Sequence, residues 1–228
     1  MFTIGYIALD DRPVNYNYPI YLPKGEYELL NLDISIMGNI KSPANLEKLD
    51  EFLLNSVNKM DYLVLSLDTL IYGGLIPSRL HHLDKEKLVK RLDIVKRLKQ
   101  INPKLKIFSF ITIMRCPNTN FDSEEPEYFA TYGKKLFEYG RLTHLHMIHP
   151  EDNDILEKLN SIIKIIPEDV IKDFTERRKI NLEVNKYVID MYKQHYFDFF
   201  IIPQDDSAPY GFTSMDQNEI RNLCQKGQ

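Results

Sequence analysis

Five short apolar runs, at Thr3–Leu9, around Tyr27–Leu32, and at Tyr62–Leu67, Ile107–Ile113 and Phe197–Pro203, divide this chain into strand-sized pieces. Most are separated by stretches with helical periodicity. Runs of four to eight apolar residues bounded by turn signals read as buried strands, and strands alternating with helices imply parallel β-α units. The spacing therefore predicts an α/β fold with a parallel β-sheet and alternating helices. Two architectures satisfy five such units: a partial (β/α) barrel made of its N-terminal five units, or a doubly wound open sheet.

The connections carry further information. The first, after Leu9, contains Pro13, Pro19 and Pro23 and is predicted to be a long tyrosine-rich loop, because proline denies a helix interior its hydrogen bonds. Ser42 followed by Pro43 predicts a helix start, with Leu46, Leu49, Leu53 and Val57 on one face. A second helix is expected from Asp84 to Gln100. Between the fourth and fifth runs lie roughly eighty residues, far more than a crossover needs, with helical periodicity near 125–139, 155–165 and 168–196. A helical insertion at 118–196 within one domain spanning 1–228 is the expected organisation. Ser214 and Gln217 match a capping box for a last helix.

Four of the apolar runs end in charged motifs: Leu9-Asp10-Asp11-Arg12-Pro13-Val14-Asn15; Leu67-Asp68-Thr69 with Tyr72-Gly73-Gly74 and Pro77-Ser78-Arg79; Met114-Arg115-Cys116-Pro117; and Gln204-Asp205-Asp206-Ser207-Ala208-Pro209-Tyr210-Gly211. In a parallel sheet all strand C-termini lie on one side, where ligands bind, so these motifs are expected to form one mouth. Asp10, Asp11, Asp68, Asp205 and Asp206 are the candidate catalytic groups, because paired carboxylates, one neutral and one ionised, perform glycoside cleavage. Arg12, Arg79 and Arg115 are candidates to orient an anionic substrate bidentately. Asn15, Tyr72, Gly73, Gly74, Ser78, Gln204 and Tyr210 complete the expected substrate-binding set. The plainer reading of each motif alone is a turn with a local ion pair. Alternating side-chain direction keeps Asp10 and Asp11 from facing one pocket unless the chain turns there.

Other chemistries fit less well. No resident cofactor is expected, although an oxygen-rich mouth admits a divalent cation such as Mg²⁺ or Mn²⁺. His144, His146 and His149 lack a matching ligand set and read as packing or surface residues. The proline-rich first loop and Gln204 after the fifth run argue against a phosphoacceptor receiver, and Arg12 in place of a second Asp argues against an aspartyl phosphatase. No phosphate-cradling glycine loop or nucleophile elbow is present. A net charge of −4 leaves no basic stripe for nucleic acid. Two distant cysteines, no basic leader and no 20-residue apolar span predict a cytoplasmic protein acting on a small molecule away from membranes. Nothing in the pattern indicates an oligomeric state.

Taken together, the LDDRPVN motif at 9–15, SLDTLIYGG at 66–74 with Ser78-Arg79, and QDDSAPYG at 204–211 resemble a bacterial family known as a conserved domain of unknown function. The resemblance covers the whole chain, including the stretch from Arg177-Arg178 to Asn185, and implies no particular reaction. It does imply a longer protein with further α/β units and another acidic motif. That tips the architectural expectation toward an incomplete barrel. A hydrolase acting on a carbohydrate-type substrate is the favoured function. The alternatives are a non-catalytic module binding an anionic small molecule, and a Mg²⁺- or Mn²⁺-assisted phosphoester hydrolase.

Overall fold

A computed structural model describes residues 1–22, 25–204 and 208–225. The chain divides into two compact units, Met1–Thr112 with Tyr187–Pro203, and Ile113–Lys186 with Gln204–Gln228.

The first unit is a parallel five-stranded sheet. Its elements are β1 (Phe2–Ile7), α1 (Asn17–Tyr21), β2 (Tyr27–Asn31), α2 (Leu46–Ser56), β3 (Tyr62–Ser66), α3 (Leu67–Tyr72), α4 (Leu75–Ser78), α5 (Lys85–Lys90), α6 (Asp93–Ile101), β4 (Lys106–Phe110) and β5 (Phe199–Ile201). The strand order is β2-β1-β3-β4-β5. A barrel requires sequential neighbours, 1-2-3-4-5, and closure. Here β1 lies between β2 and β3, the chain reverses its direction of travel after β2, and the sheet is open. The preference for an incomplete barrel is therefore corrected in favour of the doubly wound alternative, whose switch point falls between β1 and β3.

Strand pairing sorts the side chains cleanly onto two faces. Gly5, Ile7, Leu63, Leu65, Ile107 and Ser109 project to one face and are all buried. Buried with them are Leu49 and Leu53 of α2, Leu88 of α5, and Ile94, Val95 and Leu98 of α6. Each such side chain stabilises the unit by about 1.5–3 kcal/mol. Gly5 is required by close packing, since a Cβ there would lie 2.5 Å from Met60 Sδ.

Local signals were displaced where tertiary hydrogen bonds compete. The helix expected from Ser42 starts at Leu46, capped by Asn45, whose side chain accepts from Lys48 N at 3.1 Å. Ser42 instead pairs with Asn39 in a tight turn, and Ala44 N donates to Gly73 O at 2.9 Å. The expected helix 84–100 breaks at Arg91-Leu92 into α5 and α6, and Arg91 forms a two-pronged ion pair with Asp50, 2.6 Å for each bond. The third run ends its strand at Ser66, and Leu67 already begins α3.

The second unit is helical: α7 (Phe129–Ile148), α8 (Asn153–Ile163), most of α9 (Glu168–Lys193) and α10 (Phe212–Gln225). Its apolar core gathers Met114, Cys116, Phe129, Leu136, Ile166, Val170, Phe174 and Phe212. Gly140 lets Phe212 approach, since a Cβ would lie 2.4 Å from its ring. The last helix starts at Phe212, after Gly211 at φ +141°, three residues before the Met215 start that a Ser214 cap predicts. Ser214 Oγ donates backward to Pro209 O at 3.0 Å. No described helix is long and apolar enough to cross a membrane.

Candidate functional site

At the switch point, the segment after β3 folds back over the end of β1. Ser66 caps α3, accepting from Thr69 N at 3.2 Å. The Thr69 hydroxyl is shared between Ala8 O at 2.6 Å and Leu9 O at 2.9 Å. Gly73 sits at φ +87° and Gly74 at φ +138°, a reversal that returns Gly74 N to Asp68 O and Leu75 N to Leu9 O, both 3.2 Å. Every residue from Leu67 to Arg79 is buried as a result. A Cβ on Gly73 would meet Pro43 Cβ at 2.6 Å and Ala44 N at 2.8 Å. Gly73→Ala is accordingly expected to destabilise unit 1 by about 2–4 kcal/mol, combining left-handed backbone strain with a clash. Urea denaturation measures this, and a cost below about 0.5 kcal/mol, the scale of an ordinary surface change, would contradict it.

Asp68 occupies the first turn of α3 and is 1% exposed. Its Oδ1 accepts from Thr112 Oγ1 at 2.7 Å and its Oδ2 from Thr112 N at 3.0 Å, so the segment just after β4 grips both oxygens. Burial pushes its carboxyl up to about 6, against the opposing pull of the Thr112 hydrogen bonds and the Arg79 charge. Desolvation wins because the group is cut off from water. Tyr72, on the same short helix, has a buried hydroxyl with no hydrogen-bond partner. Burial and the Asp68 charge raise that phenol well above its ordinary range. Its ring lies 5.0 Å from that of His81. Ser78 Oγ donates to Leu75 O at 2.6 Å, and Arg79 is 1% exposed.

The motif after β1 forms a second polar group. Asp10 Oδ1 accepts from Arg12 N at 3.1 Å and from Asn15 Nδ2 at 2.7 Å. Its Oδ2 accepts from Arg12 Nε at 2.9 Å and lies 2.6 Å from Arg12 Nη2. Arg12 keeps 38% of its side chain exposed. The turn that Pro13 favours allows this loop to close on itself, with Asn15 N and Tyr16 N both donating to Arg12 O at 2.9 Å. Asp11 diverges from Asp10, and its Oδ1 accepts from Ile40 N at 3.4 Å. The Tyr6 hydroxyl donates to Asn15 O, and burial, with the nearby Asp10 charge, pushes that phenol up to about 12.

The remaining candidates belong to the second unit. Arg115 pairs with Glu124 at 3.0 Å and with the buried Glu125 at 2.8 Å. Gln204 is exposed and bridges to Ile113. The Tyr210 ring lies edge-on to His144 at 5.6 Å. His144 Nδ1 accepts from Gly211 N at 3.2 Å, and burial lowers its pKa, as suits a neutral packing histidine. Asp205 and Asp206 lie outside the described residues. Among the described residues, no three His, Cys, Asp or Glu are grouped to hold a metal ion.

Unit 1 thus brings together Asp10 with Arg12 and Asn15, and Asp68 with Tyr72 and Arg79. Thr112, Tyr6 and His81 are the partners that motif reading missed. Thr112 was visible only as a polar residue at the end of the fourth run, and nothing local marked it as the anchor of Asp68.

Comparison with known proteins places this geometry in context. A family described as "Protein of unknown function (DUF4127)" matches residues 4–228. Among curated proteins, a 94-residue stretch is 32% identical to a probable inactive serine/threonine-protein kinase of Dictyostelium discoideum, covering 39% of this chain and 5% of that protein. The chain therefore spans only a small part of that protein's length. No solved structure matches the chain.

Proposed function

The chain belongs to the DUF4127 family of proteins of unknown function, and from the chemistry at its switch point we propose that it is a hydrolase acting on a carbohydrate-type substrate. The observation that carries this reading is Asp68, a buried carboxyl whose pKa lies near 6 at the edge where doubly wound sheets take their ligands. A carboxylic acid still partly protonated near neutrality donates to a leaving-group oxygen far better than an ordinary Asp. Tyr72 supports it, because its unpartnered hydroxyl is satisfied when a sugar hydroxyl accepts from it. Arg12, half-exposed and anchored by Asp10, orients an anionic substituent.

Asp68→Asn removes the proton donor while nearly preserving shape. Loss of about 10²–10⁴-fold in kcat/KM on chromogenic glycosides is the expected result. Unchanged turnover would remove Asp68 from the mechanism.

One observation favours a second reading, a non-catalytic module for an anionic small molecule. Asp10 is engaged on both oxygens by Arg12 and Asn15, and Asp68 on both by Thr112, whereas glycoside cleavage uses two working carboxyls. No turnover of any chromogenic glycoside, with thermal stabilisation by a sugar acid, selects that reading.

A further inference from the structure

The tyrosine-rich connection after β1 is pinned by its buried side chains and displays its apolar ones. Tyr16 is buried, and its hydroxyl donates to Leu32 O at 2.6 Å and accepts from Asn31 Nδ2 at 3.1 Å. The Tyr6 hydroxyl donates to Asn15 O. Asn17 N and Tyr18 N both donate to Pro13 O, at 2.9 and 3.0 Å, and Leu22 N to Tyr18 O at 2.9 Å. These bonds hold the connection in helical turns that include α1, none of whose residues is buried. Val14, Tyr18, Tyr21 and Leu22, spaced i, i+4, i+7 and i+8, fall on one face of such a stretch. They are 58%, 60%, 78% and 59% exposed. A contiguous apolar patch left open on a fixed backbone marks a binding surface.

We infer that this face is a platform for the sugar rings of an oligosaccharide whose reacting unit lies at Asp68, an inference that rests on the hydrolase reading above. Three observations select that occupant. The face continues the Asp10, Arg12 and Asn15 group at the C-terminal end of β1. That end is tied to the Asp68 segment, because Leu9 O accepts from Thr69 Oγ1 at 2.9 Å and from Leu75 N at 3.2 Å. Residues 13–22 contain three tyrosines, two asparagines and no charge. A helix that seeks a lipid surface carries Lys and Arg on its polar face, and none stands in this stretch. Tyrosine joins an apolar ring to a polar tip, which matches a pyranose, apolar on its C–H face and rimmed by hydroxyls. Finally, Val14 to Leu22 spans about 12 Å at 1.5 Å per residue, more than one sugar ring covers, so the occupant is an oligomer rather than a monosaccharide.

Calorimetric titration of the whole chain tests this with N-acetylglucosamine, glucose and galacturonate, each as monomer, dimer and tetramer. The expected result is that one series binds more tightly as it lengthens, by roughly 2- to 10-fold for each ring stacked on a tyrosine. The double variant Tyr18→Ser, Tyr21→Ser alters exposed positions. It is expected to bind the tetramer no better than the monomer, with an unchanged far-UV spectrum. Should that variant unfold, NMR ring signals of the wild-type chain supply the same test, with Tyr18 and Tyr21 shifting on addition of the tetramer and not of the monomer. A monomer bound as tightly as its tetramer overturns the platform and leaves the hydrolase reading of Asp68 standing, whereas no binding by any sugar removes both. A length preference that survives the double variant overturns the platform as well. So does protection of Tyr18 and Tyr21, without sugar, by phosphatidylcholine vesicles or by a raised protein concentration.

Discussion

Urea denaturation at pH 4.5 is expected to give a higher midpoint than at pH 7.5, the reverse of the common pattern in which carboxylates stabilise proteins toward neutrality. Burial raises Asp68 in unit 1 and Asp216 in unit 2 to about 6. An unfolded Asp titrates near 3.9. Between those values the folded chain binds more protons than the unfolded one, so stability falls as pH rises. The contribution is fully present below about pH 4 and lost as pH climbs through 6. For Asp68 a shift of about two units corresponds to about 3 kcal/mol at most. Asp198 acts in the opposite sense at lower pH. Burial raises it, but hydrogen bonds from Lys106, Lys99 and Ile107 N outweigh that and hold it at about 2. Its contribution is present above pH 4 and disappears toward pH 2, and the lowered pKa of buried His144 also withdraws some stability as pH falls below about 6.5, a smaller opposing slope than that of the two raised carboxyls. Asp68→Asn and Asp216→Asn should each flatten the slope of their own unit. A midpoint unchanged between pH 4.5 and 7.5 would contradict the burial argument.

Arg178→Met is expected to destabilise unit 2 by about 3–5 kcal/mol, because it strands a buried charge. The Arg178 guanidinium lies beside the contacting rings of Phe174 and Phe212, 5.8 and 5.7 Å from their centroids. It donates to Met114 O, to Arg115 O at 3.2 Å and to Thr213 Oγ1 at 3.2 Å, and its Nε lies 2.7 Å from Asp216. Those contacts join α9, α10 and the segment after β4 through one planar fork. Lysine cannot replace it, since a point charge reaches only one of these partners. The double variant Arg178→Met, Asp216→Leu should recover most of the loss, as exchanging a whole buried pair for apolar residues is often neutral. A cost under about 1 kcal/mol for Arg178→Met, the range of an exposed pair, would show that the cation is not structural.

Strands were legible because burial demands runs of apolar residues. The runs at Tyr62 and Ile107 became β3 and β4, and the proline-rich loop left only a stub of helix. The order of the strands was not legible. Nothing in a run of Val, Ile and Leu says whether β1 pairs with β2 alone or with β3 as well, and that pairing separates an open sheet from a barrel. Run ends were ambiguous for a related reason. Leu67, Leu70 and Ile71 are apolar in α3 as they would be in a strand, because that helix is buried all round. Ser42 and Ser214 carried cap signals that other hydrogen bonds overrode: Ala44 N donates to Gly73 O, and the Ser214 hydroxyl turns back to Pro209 O. The motifs singled out Asp68 and Tyr72 but gave no sign of Thr112, whose hydrogen bond to Asp68 spans 44 residues.

The most direct measurement is a carboxyl ¹³C titration of Asp68 by NMR, alone and with glucose, N-acetylglucosamine or glucuronate at saturating concentration. A titration centred near 6 that moves when one of these sugars binds is the result expected of a proton donor at a carbohydrate site. An Asp68 that titrates near the ordinary value of about 3.9, or that no sugar perturbs, would contradict the assignment of carbohydrate chemistry to the β1/β3 switch point.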